Sequence, residues 1–340
     1  MTDVVLGIDS STQSTKVEAR LLGTGAVVAS ASASHPPTTP PVSEQDPTAW
    51  WAAAAAACAQ IPPQVRNGVV AVSVAGQQHG LVLLDEDGLA VRPAKLWNDT
   101  TSATEATALV NATNPDAWAA AIGSLPVAAF TISKLAWVAH HEPANLARVA
   151  RVLLPHDYLT WCLSGRFVTD RGDASGTGWF DASTDSYRPE LLDLIGIDGA
   201  SWLERLPTVL GPHESVGLIT PQAASSLGLP DNVVIGPGSG DNMGAALGLG
   251  LNVGDLVMSL GTSGVAYARS ATPTRDATGA VAGFADAAGG FLPLVCTLNA
   301  TKVTDTVARW LGTDAPGLAD LALAAEPSDV TVVPWFDGER

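Results

Sequence analysis

Three observations predict an α/β protein. Short β-branched runs alternate with helical patterns along the 340-residue chain, a length that suits one large or two ordinary domains. Two distant segments, 4–22 and 256–268, share one plan of strand, hydroxyl- and glycine-rich turn, strand, a weak internal repeat. Between them, Val233–Asn242 leads from a β-branched run through a glycine-rich turn into a small-residue helix, expected from about Met243 to Gly250.

Taken in order, Val4–Ile8 reads as a buried strand ending in the hydroxyl-rich turn Asp9–Thr15. Strands follow at Lys16–Leu22 and Ala26–Ala33, making a β-meander. Asp46-Pro47 is a helix start, with an N-cap acid and Pro at N1, and its helix runs to about Cys58. Val69–Ala75 and Leu81–Leu84 are strands around the turn Gly76-Gln-Gln-His-Gly80. Thr101–Asn111 and Thr131–His141 are helical, the first with a Ser102-x-x-Glu105 capping box. Val149–Leu154 is a strand and His156–Leu163 a helix; Asp170–Thr177 reads as a polar loop. Helices are expected at Pro189–Ile195 and Pro221–Leu227. Strands at Asp255–Leu260, Val265–Ala268 and Phe291–Thr297 precede helices at Asn299–Leu311 and Gly317–Ala325. A last strand is expected to begin at Val330–Val333.

Composition limits the function classes. The chain is 46% hydrophobic and 15% charged, which supplies a sizeable core. Its net charge is −17 and Lys/Arg are not clustered, which argues against nucleic acid and anionic membrane as partners. Cys58, Cys162 and Cys296 match no zinc or redox spacing and read as small buried hydrophobes. The Ala52–Ala57 run is too short to span a bilayer, and no signal peptide is visible, which points to the cytoplasm.

Chemistry concentrates in the turns. Asp241 is the only ionisable group in its glycine-rich turn, where it suits a general base or a metal ligand. The plain alternative is an N-cap. The Asp9–Thr15 turn offers N–H groups and hydroxyls to phosphate oxygens and Asp9 to a cation; an Asx/Ser turn without ligand is the alternative. Gln77, Gln78 and His79 suit the hydroxyls of a polyol, or else form a satisfied turn. Trp97, Asn98 and Asp99 set an aromatic face beside an amide and a carboxylate, as a sugar site or a helix cap. His140, His141 and His156 lack ligand spacing and read as structural or surface groups. No Gly-Lys-Ser/Thr P-loop is present, and Gly236-x-Gly238-x-Gly240 is not the dinucleotide spacing.

Taken together, Gly7-Ile-Asp9-Ser-Ser-Thr12, Ala75-Gly-Gln-Gln-His-Gly80, Leu96-Trp-Asn-Asp99, Gly240-Asp-Asn242, Ser259-Leu-Gly-Thr-Ser-Gly264 and Pro334-Trp-Phe-x-Gly-Glu-Arg340 resemble the FGGY carbohydrate kinases. Within that family the likeness is greatest to the branch acting on D-xylulose, and Ser43–Pro47, Trp50-Trp51 and Leu153–Tyr158 extend it. The resemblance implies an actin-like, ribonuclease-H-like α/β fold of two domains around a cleft, with sugar deep in it and MgATP above. It assigns 1–238 to the sugar-binding domain and 239–340 to the start of a nucleotide-binding domain. Asp241 would be the general base, and Asp9, with Asp241, would hold Mg²⁺. Thr12, Gly261, Thr262, Ser263 and Gly264 would meet the phosphoryl group of ATP. Gln78, His79, Trp97, Asp99 and Asn242 would hold the ketose. The family hints at a homodimer.

Three departures stand out. Ser11 replaces a frequent Gly, and Gln78 replaces a Met frequent in the xylulose branch. The family runs on for roughly another hundred residues, so the chain is expected to be a truncation. Kinases of the same family acting on ribulose, gluconate, fuculose or glycerol, and a non-catalytic sugar-binding fragment, are the rival readings.

Overall fold

The computed structural model describes residues 3–39, 41–261, 263–297 and 299–335. The meander forms as expected: β1 (Val4–Ser10), β2 (Ser14–Leu21) and β3 (Val27–Ser34) pair antiparallel in sequence. Helix α1 (Pro47–Gln60) starts where Asp46 accepts the Thr48 N–H at 2.9 Å, with Pro47 in the first turn. Its alanines let it lie close to β2 and β3, and Trp50 is fully buried there. The chain then returns as β4 (Val69–Gly76), parallel to β1.

Three helical segments follow: α2 (Thr131–His141), α3 (Pro155–Ser164) and the single turn α4 (Arg171–Ala174). Late in the chain, β5 (Gly217–Leu218) pairs antiparallel with β6 (Val234–Ile235), and β6 lies parallel to β4. The short β7 (Ser239–Gly240) also runs parallel to β4 and delivers the chain into α5 (Asp241–Gly248). The first sheet is therefore ordered β5-β6-β4-β1-β2-β3, and it includes Ser239–Gly240, two residues past the expected break at 238. Four antiparallel strands follow: β8 (Leu256–Leu260), β9 (Gly264–Ala268), β10 (Ala282–Ala285) and β11 (Phe291–Thr297), ordered β8-β9-β11-β10. Helices α6 (Thr301–Trp310) and α7 (Ala315–Ala324) pack on each other.

Two cores hold these layers. One joins Leu6, Ile8, Val17, Val72 and Val74 of the first sheet to Trp50, Ala54 and Ala57 of α1 and Leu159 and Leu163 of α3. The other gathers Phe130, Leu135, Trp118 and Trp179 with Met243 of α5 and Tyr267, Phe284 and Leu292 of the second sheet. Apolar burial at roughly 25 cal/mol per Å² drives both.

Several local expectations are corrected. The capping box does not form: Ser102 Oγ donates instead to the Ala128 carbonyl, and Glu105 meets His140 and His141. Val330–Val333 is exposed and belongs to no described strand, because no described strand pairs with it. Helix α5 begins two residues early, with Gly240 as N-cap and Asp241 as its first residue, so Asp241 is not the cap. Asp170–Thr177 is no surface loop but lies buried throughout.

Candidate active site

Parallel pairing explains why distant turns meet. In β1 and β4, Asp9 stands opposite Ala75, and Ser10 opposite Gly76. In β7, Gly240 also stands opposite Gly76. The carboxyl ends of three parallel strands thus deliver Asp9–Thr12, Gln77–His79 and Asp241–Asn242 to one edge, where α/β sheets commonly bind ligands. A cavity of about 490 Å³ opens there, within the size range of small-molecule sites. Ser11, Thr12, Gln78, His79, Trp97, Asp241, Asn242 and Ser263 line its polar side; Val127, Phe130, Phe284 and Leu294 line the apolar side.

Asp241 reaches the cavity from the start of α5, where the helix dipole favours negative charge. Its Oδ1 accepts the Asn242 N–H at 2.7 Å and Nδ2 at 2.9 Å, and no described residue bonds Oδ2. Burial pushes the carboxyl up to about 7; the Asp173 and Asp9 charges add to the rise, and the Asn242 bonds oppose it. A carboxylate with a pKa near neutrality suits proton abstraction at pH 7. Asn242 Nδ2 also donates to Gln78 Oε1 at 2.7 Å, which ties the third turn to the second. Gly240 makes this possible, since a Cβ there would stand 2.7 Å from Gln78 Cγ.

His79 is the strained member. Its φ of 60° lies in the left-handed region, uncommon for a residue with a side chain. Asp173 accepts its N–H at 3.1 Å, and Thr131 Oγ1 and Lys134 Nζ both donate to its carbonyl at 3.2 Å. Its ring packs in a triangle with Phe130 and Phe284, whose centroids are 5.6 and 4.9 Å away and 5.9 Å apart. Trp97 is fixed by its indole N–H, which donates to Thr12 Oγ1 at 2.9 Å; that hydroxyl in turn donates to Gln77 Oε1 at 3.0 Å. The Thr12 hydroxyl proton is therefore already committed. Burial raises the Asp9 carboxyl above its usual range, with Lys16 pulling it back.

Asp99 stands apart. It is fully buried, its Oδ2 accepts the Ser43 N–H at 2.8 Å, and its Oδ1 meets Thr101 and Lys95. It is absent from the cavity wall and caps no helix either, since the next helix has Ser102 as its N-cap; its bonds tie the 99–101 turn to Ser43 and Lys95. In the turn expected to meet phosphate, the Gly261 N–H donates to the Ser263 carbonyl and Gly264 opens β9, and Ser263 borders the cavity. Thr262 lies outside the described residues. Sequence reasoning did not place Asp173 or His156 near this site; for Asp173, two aspartates flanking Arg-Gly were the available signal.

Residues 4–248 match the N-terminal domain of the FGGY family of carbohydrate kinases. The chain belongs to this family. A xylulose kinase of Streptomyces coelicolor is 48% identical over 339 residues, covering 99% of this chain and 68% of that kinase. A xylulose kinase of Streptomyces rubiginosus is 46% identical with the same coverage. The crystal structure of xylulose kinase from Bifidobacterium adolescentis superposes with a TM-score of 0.87 at 40% identity, covering 99% of this chain and 73% of that one. This FGGY kinase accordingly has the actin-like ATPase fold, with the cleft described above between its two sheets. No helix among its described residues is long and apolar enough to cross a membrane.

Proposed function

We propose that this FGGY kinase binds D-xylulose in the cleft and transfers the γ-phosphoryl group of ATP to it, forming D-xylulose 5-phosphate. The observation that carries the reading is one cavity in which the unbonded Asp241 Oδ2 stands beside Gln78, His79 and Asn242. The choice of sugar rests on similarity to proteins named xylulose kinases.

In this scheme Gln78, His79 and Asn242 hold sugar hydroxyls by hydrogen bonds, and Trp97 supplies a flat apolar face. Asp241 Oδ2 takes the proton of the attacking hydroxyl. The apolar wall of Phe130 and Phe284 excludes water, which strengthens the polar contacts. Thr12, its hydroxyl engaged, offers a backbone N–H to the phosphoryl oxygens, as does the 261–264 turn.

The residues present fit Mg²⁺. Burial disfavours the charges of both Asp9 and Asp241, and the Asp9 charge raises Asp241 further, so a divalent cation would relieve both. Mg²⁺ keeps several of its waters and needs only one or two protein carboxylates. Asp9 and Asp241 would hold it, and when bound it neutralises charge on the phosphate oxygens.

The test is equilibrium binding of D-xylulose, D-ribulose, gluconate and glycerol to the chain, read by tryptophan fluorescence with Trp97 as reporter. Saturable binding with D-xylulose preferred by at least about tenfold, roughly 1.4 kcal/mol, is expected. Preference for another sugar would reassign the substrate, and saturable binding of none would overturn the reading.

A further inference from the structure

His156 plays no part in the scheme above, yet it is fully enclosed and faces three carboxylates. Its Nε2 lies 3.1 Å from Asp170 Oδ1, 3.2 Å from Asp157 Oδ1 and 3.6 Å from Asp173 Oδ2. Asp173 is itself completely buried. Its other oxygen, Oδ1, accepts the His79 N–H at 3.1 Å and stands 2.9 Å from His79 Nδ1, a close charge contact without hydrogen-bond alignment. One carboxylate thus stands between a buried imidazole and the imidazole that lines the cleft, within ion-pair distance of both.

The charges agree with this geometry. A buried carboxylate without a countercharge is strongly unfavourable. Burial pulls His156 down, but Asp157, Asp170 and Asp173 outweigh it and hold its pKa at about 10, so it carries the positive charge. A carboxylate beside Nδ1 favours the proton on that nitrogen. Nε2 is then the acceptor, and Gln78 Nε2 approaches it at 3.4 Å. Gly176 closes the other side of the ring, since a Cβ there would stand 1.8 Å from His79 Cε1.

We propose that Asp173, with His156 as its buried countercharge, is a positioning residue that fixes His79 with Nδ1 protonated and Nε2 turned to the cleft as acceptor for a ligand hydroxyl. Only the ligand's identity rests on the kinase reading; the tautomer and the coupling between Asp173 and His79 do not.

Long-range proton–nitrogen spectra of the full chain at about pH 8, where a free imidazole is neutral, read the tautomer directly. The His79 signals are assigned by their loss in His79→Gln. A protonated Nδ1 and bare Nε2 are expected; a dominant Nε2–H form overturns the proposal. A double-mutant cycle with D-xylulose as probe then separates positioning from bulk structure. Asp173→Asn should weaken binding about tenfold in the parent chain, the scale of a charged hydrogen bond. In the His79→Gln background it should cost less than about twofold. Equal losses in both backgrounds would show that Asp173 acts without His79 and would overturn it. Should Asp173→Asn fail to fold, the parent spectra decide alone. Should the parent bind no sugar, the kinase reading falls while the spectra still decide the positioning.

Discussion

At the residue scale, the backbone of His79 departs from the usual regions because its N–H and carbonyl are both claimed by buried partners. Asp173 takes the N–H, while Thr131 and Lys134 hold the carbonyl. Strain of ~1–3 kcal/mol persists only when surroundings over-determine it, and such residues gather at functional sites. Gly176→Ala should therefore displace the ring and weaken sugar binding by about tenfold or more, with a crystal structure of the variant as the check. Unchanged affinity would show that the ring position is unimportant. Asp99 illustrates the reverse case. Its motif suggested a sugar ligand, but its oxygens serve Ser43, Thr101 and Lys95. Asp99→Ala leaves the fully buried Lys95 with Glu44 as its charged partner, the Thr101 hydroxyl and the Trp137 ring, and should cost about 3 kcal/mol in denaturant unfolding. Sugar affinity of the folded variant should stay within about twofold, the spread of ordinary distant substitutions.

At the element scale, most strands and helices were legible because apolar periodicity and terminal signals agreed. Asp46-Pro47 caps α1 as its sequence suggests, and Thr131–His141 is helical over its expected range. What failed were inferences needing a partner invisible in sequence. Ser102 found the Ala128 carbonyl instead of its own helix, and Asp170–Thr177 read as a polar loop whereas it holds a buried helical turn whose polar groups bond one another. The cavity wall was legible wherever a turn follows a parallel strand, as with Thr12, Gln78, His79 and Asp241, whereas Asp9 lies near the end of β1 at the same sheet edge without lining the cavity. His156 and Asp173 were not, since only the tertiary fold joins α3 and α4 beneath His79. Gly240 shows how tightly these turns close: Gly240→Ala should push Gln78 aside and lower sugar affinity several-fold, about 1 kcal/mol, with little change in melting. Binding like that of the parent would show that Gln78 does not hold the ligand.

At the scale of the whole molecule, buried protons shape the dependence of stability on pH. In the fold His156 keeps its proton to about 10 and Asp157 to about 7, the latter raised by burial. Both exceed unfolded values of ~6.5 and ~3.9, so their stability is complete below those values and is lost as pH rises through 7 and then 10. Asp99 and Glu142 are held low by their hydrogen bonds and cationic neighbours against the pull of burial, so their contribution vanishes as pH falls below about 4. The net charge of −17 adds repulsion at high pH. Thermal melts should peak near pH ~4 to 5 and fall by several degrees towards pH 10; a melting temperature that climbs over that range would contradict this. The cleft draws on both sheets, and its central claim is that Asp241 serves chemistry more than binding. The most direct measurement compares ATP-dependent phosphorylation of D-xylulose by the parent chain and Asp241→Asn, with sugar affinity determined on the same samples. Loss of a general base predicts turnover reduced by about 10²–10⁴-fold and affinity changed by less than about threefold. Near-parental turnover in Asp241→Asn would contradict it.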